Sequence, residues 1–192
     1  SSSGSSGFTR WNGNHKTGTG NASPCNYWNC LKVPIFKGGA AKISGMINTI
    51  NPGGGTNADA FMRIAQQYYL NNTYTPIDKN SPCQNSYILV IGDGDWSNHN
   101  AAENKVRSLY NNHKIKTFAV AFGTGISSSG LRNFNNIARA GGTTKAIEAK
   151  TAEKLKTELK AAISQIIASK LSFTAPAITA TLTSGGSLYQ AQ

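Results

Sequence analysis

Residues 87–96 read Tyr-Ile-Leu-Val-Ile-Gly-Asp-Gly-Asp-Trp, and no other stretch constrains the fold as tightly. Five apolar residues, several of them β-branched, run without a polar interruption and then stop at Gly92-Asp93-Gly94-Asp95. Continuous apolar character of that length marks a strand buried on both faces, as in a parallel sheet. The abrupt Gly-Asp ending places a carboxylate where such a strand leaves the sheet. In open α/β sheets ligands bind at that edge, beyond the carboxyl ends of the strands. Asp93 is therefore the first candidate functional residue.

The segments around this strand alternate in type. Ala40 to Ile50 carries Ile43, Met46, Ile47 and Ile50 at helical spacing, and Asn51-Pro52-Gly53-Gly54-Gly55 stops it. Asn57 to Leu70 predicts a helix with Ala60, Phe61, Ile64, Ala65 and Tyr68 on one face. After the Tyr87–Ile91 strand, Ala101 to Asn111 predicts a helix with Ala102, Val106 and Leu109 inward. Lys114 to Phe122 predicts a second strand ending in glycine. Leu131 to Ala140 predicts a helix stopped by Gly141-Gly142. Thr143 to Glu148 reads as a brief strand, and Thr151 to Ser169 as a long amphipathic helix through Leu155, Leu159, Ala162, Ile163, Ile166 and Ile167. Upstream, Gly7 to Asn12 and Leu31 to Ile35 read as short strands, the latter limited by Pro34. Strand–helix alternation implies an α/β fold, a mostly parallel sheet with helices on both faces.

The ends differ from this middle. Residues 1–6 contain only Ser and Gly and predict a flexible segment. The alternating domain is expected over residues 7–170. Residues 171–192 are rich in Thr, Ala and Ser, with alternating Ile178, Ala180 and Leu182 before Ser184-Gly185-Gly186, which reads as a linker and the first strand of a truncated β domain. No apolar run reaches the length needed to span a bilayer as a helix.

Two loops are expected at one sheet edge: Gly53-Gly54-Gly55-Thr56-Asn57 at a helix entrance, and Gly92-Asp93-Gly94-Asp95 after the strand. A hydroxyl and a carboxylate converging there suit a hard divalent cation, Mg²⁺ or Ca²⁺. Each residue also has a plainer reading. Thr56 suits a helix N-cap, and Asp93 suits a carboxylate that accepts loop N–H bonds. Asp95 either assists Asp93 through water or belongs to the turn. The glycine run lacks the Gly-Lys-Ser/Thr ending of a phosphate loop.

Nothing in the chain spells an enzyme. His15, His99 and His113 are isolated in polar settings, and eight Asp and Glu residues offer no legible acid/base pair. The excess of 19 Lys and Arg gives a net charge of +11, which favours anionic partners. Only Lys145, Lys150, Lys154, Lys156 and Lys160 cluster, near the last helix, and a solvated helix face explains them equally. Without aromatic–basic interleaving, specific nucleic-acid readout is not expected. Trp11, Tyr27, Trp28 and Trp96 suit either an exposed contact surface or loop and core packing. Of three cysteines, Cys25 and Cys30 are spaced for a small disulfide ring, while Cys83 precedes the strand, a pattern that leans towards an oxidising compartment.

The order Gly-Gly-Thr, amphipathic helix, apolar strand ending in Asp-Gly, KIKTFAVAFGTG, LRNFNNIARAGG and a last long helix resembles the von Willebrand factor A domain, a Rossmann-like fold, over roughly Gly7 to Ser169. In that family three loops form a metal-ion-dependent adhesion site. The resemblance implies that Thr56 supplies its threonine and Asp93 its last aspartate. The third element, Asp-x-Ser-x-Ser, finds Ser3 and Ser5 in the serine places but Ser1 where the aspartate belongs. The interval from Ser5 to Thr56 is too short for the family's first helix and second strand. The family's first strand and helix are therefore expected upstream, with cation binding by these residues alone weak or absent. The phrases NPGGGTNADAFMRIAQQYY, SPCQNSYILVIGDGDW and TLTSGGSLYQAQ are further similar to the PilC/PilY proteins of type IV pilus tips and biogenesis, in which an A-type domain precedes a β-propeller. That resemblance implies a non-enzymatic adhesion or pilus-biogenesis module at the cell surface, or in the periplasm or outer membrane. Its partners would be pilus minor subunits or a surface ligand bearing an acidic group. A purely structural element of the pilus tip, or a polyanion-binding domain, are the competing expectations.

Overall fold

Parallel pairing is what the alternating pattern requires, and the sheet delivers it. The structure is a computed structural model that describes residues 33, 35, 39–47, 56–72, 75–81 and 84–171, with backbone alone at 46 and 167–171. Its elements run α1 (Gly39–Ile47), α2 (Ala58–Tyr69), β1 (Tyr87–Gly92), α3 (His99–His113), β2 (Lys116–Phe122), α4 (Ser128–Ala140), β3 (Ile147–Ala149) and α5 (Ala152–Leu171). The chain divides into two compact units, Ser1–Leu155 and Lys156–Gln192.

Among the described residues the sheet has the order β1-β2-β3, with both pairings parallel. Tyr87 lies opposite Lys116 and Gly92 opposite Ala121, so β1 and β2 end together at one rim. Side chains alternate across the sheet. Ile88, Val90 and Gly92 therefore share a face with Thr117, Ala119 and Ala121. Helices α3 and α4 pack on β2 and on each other, and α2 packs on α3. The core beneath them contains Met62, Tyr69, Val90, Trp96, Val106, Leu109, Ile115, Phe134 and Ile137. Val106 and Leu109 on α3 are fully buried, as their spacing predicts, and so is Ala102.

Several expectations need correction. β1 is not buried on both faces: Val90 is, but Leu89 and Ile91 are 45% and 48% exposed. Leu89 and Ile91 project from the face opposite Val90, since side chains alternate along a strand, and that face of β1 is left half open. In α2 the deepest side chain is Met62, with Ala58 and Ala60, while Phe61 and Ala65 pack at the margin of the core. In α1, Ile43 and Ile47 are exposed, and in α5 so is Ile163. Trp96 is buried, which removes it from any exposed aromatic surface. β2 starts at Lys116, not Lys114, because Lys114 closes α3 in a left-handed conformation, its N–H donating to the Leu109 and Tyr110 carbonyls.

The expected strand over residues 7–12 and the tail beyond 171 lie outside the described residues. So do Ser3, Ser5, Trp11, His15, Cys25, Tyr27, Trp28, Cys30, Gly53–Gly55 and Cys83. Of the expected Leu31–Ile35 strand, Val33 and Ile35 are described, both in bends. No described helix is long and apolar enough to cross a membrane.

Candidate functional site

The rim at the carboxyl end of β1 is assembled from three segments. β1 ends at Gly92, and the next residues bend through Asp93 and Gly94. The chain then passes Asp95 and Trp96 to Ser97, which pairs in parallel with Asn57 as an isolated bridge. Ser97 N–H and Ser97 Oγ both donate to the Thr56 carbonyl, at 3.0 and 3.2 Å, and Ala58 N–H donates to the Ser97 carbonyl at 3.0 Å. The loop carrying Asp93 is thus laced to the loop carrying Thr56. Ser97 is four chain steps beyond Asp93, a span of at most about 14 Å even if fully extended. Of the two loops expected at one rim, these bonds bring together Thr56 and Asn57 of the first and Ser97, just beyond the second.

The plain reading of Thr56 as an N-cap does not hold, because its neighbour caps instead. Asn57 adopts an extended conformation and its Oδ1 accepts the Ala60 N–H at 3.3 Å, satisfying a donor of the first turn of α2. Thr56 stands one position outside the helix, exposed, and no described residue hydrogen-bonds its hydroxyl. Asp93 is also exposed, and among the described residues nothing donates to its carboxylate or pairs with it.

Asp95, two residues on, is engaged through both carboxylate oxygens. Its Oδ1 accepts the Ser127 N–H at 3.1 Å and its Oδ2 accepts the Ser127 hydroxyl at 2.5 Å. Ser127 is the N-cap of α4, its Oγ accepting the Gly130 N–H at 3.0 Å. Asp95 therefore belongs neither to a simple turn nor to a free ligand set. It ties the loop after β1 to the loop after β2.

Beneath the rim lies an aromatic floor. The Trp96 ring stacks on Phe134 with centroids 3.9 Å apart and meets Phe61 edge-on at 5.5 Å. These rings fit under β1 because residue 92 is glycine: a Cβ there would lie 3.0 Å from Phe134 Cζ and 3.5 Å from Trp96 Cζ3. Beside the rim, a cavity of about 250 Å³ opens at the ends of β2 and β3, lined in part by Ile126, Ser127, Leu131, Glu148 and Lys150.

The described donors near Asp93 are hard oxygens, one carboxylate and one or two hydroxyls. Among the described residues no group of three or more His, Cys, Asp or Glu side chains gathers as a metal site would require. A set with one carboxylate suits a cation that keeps most of its water, as Mg²⁺ does, and holds it loosely. His99 and His113 sit at the two ends of α3 and take no part in the rim.

The sequence expectation missed Asn57, Ser97, Ser127 and Gly130. Two of these carried a usable signal. Asn57 and Ser127 are both residues that favour the position before a helix. The Asp95–Ser127 contact spans 32 residues and has no local signature. Comparison of the chain with family models, with curated proteins and with solved structures gives no match.

Proposed function

We propose that the chain is a binding module of the von Willebrand factor A type, whose rim at the end of β1 takes part in holding a divalent cation that is shared with an acidic group of a partner. One observation supports this above all others: the Asp93 carboxylate stands at the carboxyl end of a parallel strand with no described partner, while Asp95 beside it is bonded through both of its oxygens to Ser127. Carboxylates at strand ends usually find loop N–H groups or cations. Thr56, freed from capping by Asn57, adds a hydroxyl from the adjoining loop. In this reading Thr56 and Asp93 hold two of the family site's positions. The cation supplies positive charge with exchangeable water positions; the protein's part is to aim oxygens at it and leave one side open.

The setting proposed for this module is the tip or assembly machinery of a type IV pilus, as in the PilC/PilY proteins. The Gly-Gly-Gly-Thr-Asn and Gly-Asp-Gly-Asp-Trp phrases support it, together with the Ser-Gly-Gly-Ser-Leu-Tyr tail. Isothermal titration of Mg²⁺ and Ca²⁺ into the intact protein tests the cation reading. Asp93→Ala should lose measurable affinity and Thr56→Ala should weaken it about tenfold, with thermal stability unchanged, because neither side chain holds the fold. Equal affinity in wild type and Asp93→Ala removes the proposal.

A second reading has its own support: the described rim offers one free carboxylate, too few for tight binding. In that reading the domain is a mechanical element of the pilus tip. Normal piliation in a Thr56→Ala/Asp93→Ala strain, with loss on deletion of the domain, would favour it.

A further inference from the structure

We infer that Asp95 is a positioning residue for Asp93: by clamping Ser127 it fixes the short loop that carries the free carboxylate, and so sets how strongly the rim holds a cation. This rests on the cation reading given above.

The loop has little else to hold it. Gly92 and Gly94 flank Asp93, and Gly94 has open space around its α-carbon. On its far side the loop is anchored at Ser97 through Thr56 and Asn57. On its near side β1 ends at Gly92. Between these anchors the Asp95 carboxylate makes two bonds across to the start of α4, one to a backbone N–H and one to a hydroxyl. The hydroxyl is itself fixed, since Ser127 Oγ also accepts the Gly130 N–H and lies 2.8 Å from Ser129 Oγ. Charge-assisted bonds of this kind are about twice as strong as neutral ones and are directional. The N-terminal end of α4, with its positive dipole, further favours a carboxylate in that place.

Residue 130 shows how closely the clamp is fitted. It is a buried glycine, and a Cβ there would lie 1.8 Å from Asp95 Oδ1 and 3.0 Å from Ile126 Cγ2. A methyl group at this position expels the Asp95 carboxylate while leaving Asp95 itself in the sequence. A loop that has lost the clamp samples many positions, so Asp93 meets the cation in the correct place only part of the time. Affinity falls by that fraction.

Outer groups that orient a metal ligand typically cost about 10–100-fold in affinity when removed. Titration of Mg²⁺ into the intact protein is therefore expected to show a loss of that order in Asp95→Ala and, independently, in Gly130→Ala. Asp95→Asn retains the oxygen that accepts the Ser127 N–H and an amide that can reach the Ser127 hydroxyl, so it should recover most of the affinity. Amide hydrogen exchange on the same proteins should quicken at residues 93–95 in Asp95→Ala and Gly130→Ala, and not at the core strand β2. Undiminished affinity in Asp95→Ala, or an Asp95→Asn as weak as the alanine variant, overturns the positioning role while leaving the Asp93 site intact. A wild-type protein that binds no divalent cation overturns both, and exchange rates at residues 93–95 then report on the clamp alone.

Discussion

At the scale of single residues, what separates a structural polar group from a functional one here is whether its hydrogen-bonding capacity is already used. Tyr69 is a clear structural case. Its ring is buried, its hydroxyl donates to the Tyr87 carbonyl at 2.8 Å, and its own carbonyl accepts the Thr75 hydroxyl. Burial, with a smaller contribution from Tyr68, pushes its phenol up to about 12. The sign of the consequence follows directly. An unfolded tyrosine releases its proton near pH 10, whereas the folded one holds it, so between about pH 10 and 12 the unfolded chain carries fewer protons. The stabilisation is complete below pH 10 and is lost as pH rises towards 12, by about 2–3 kcal/mol at most. Tyr69→Phe should flatten most of this alkaline decline in a denaturant series, leaving a smaller part to Tyr68, which is raised for the same reason. An unchanged slope would place the phenol in water. Asp95, like Tyr69, has hydrogen-bond partners within the fold, and Asp93 has none among the described residues. The sequence told these two aspartates apart only by their distance from the strand, because the partner that occupies Asp95 is 32 residues away.

At the scale of elements, periodicity carried most of the fold. Helix α3 kept its inward Ala102, Val106 and Leu109, and the Gly141 stop closes α4 with its N–H bonded to the Ile137 and Ala138 carbonyls. Strand β1 began where the apolar run begins and ended at the glycine before Asp93. What periodicity could not carry was the coverage of β1. A run of apolar residues reads the same whether both faces are packed or one, since burial depends on neighbours that local sequence does not name. The structure divides them, with Val90 inward and Leu89 on the exposed face. Val90→Ala should accordingly cost about 2 kcal/mol, from lost transfer energy and the cavity left behind. Leu89→Ala should cost under about 1 kcal/mol, as exposed substitutions do. Chemical denaturation of the two variants decides this, and equal losses would mean that the Leu89 face is covered in solution. Helix starts were a second weakness. Thr56 and Asn57 are adjacent and both favour an N-cap, and only the extended backbone at Asn57 identifies which one serves.

At the scale of the whole molecule, the chain is strongly basic, and its few carboxylates are mostly committed. Asp59 pairs with Lys105, Glu103 with Arg107, Asp78 accepts the Asn80 N–H, and Asp95 holds Ser127. Against that background an unengaged Asp93 at the rim stands out more than it would in an acidic protein. The parallel order β1-β2-β3 puts the ends of adjacent strands side by side, and this arrangement is why a carboxylate after one strand and a serine after the next can meet. The general architecture was thus legible as strand–helix alternation, and the rim as a glycine-flanked aspartate. The tie between neighbouring loops was not, because it exists only once the sheet has formed. Anomalous diffraction from crystals of the intact protein grown with Mn²⁺, a stand-in for Mg²⁺, tests the central claim most directly. A manganese peak about 2 Å from an Asp93 carboxylate oxygen, with Thr56 Oγ in the same shell or one water removed, is the predicted result. Ordered Asp93 and Thr56 side chains with no manganese at either, at a concentration that occupies other sites, would contradict it.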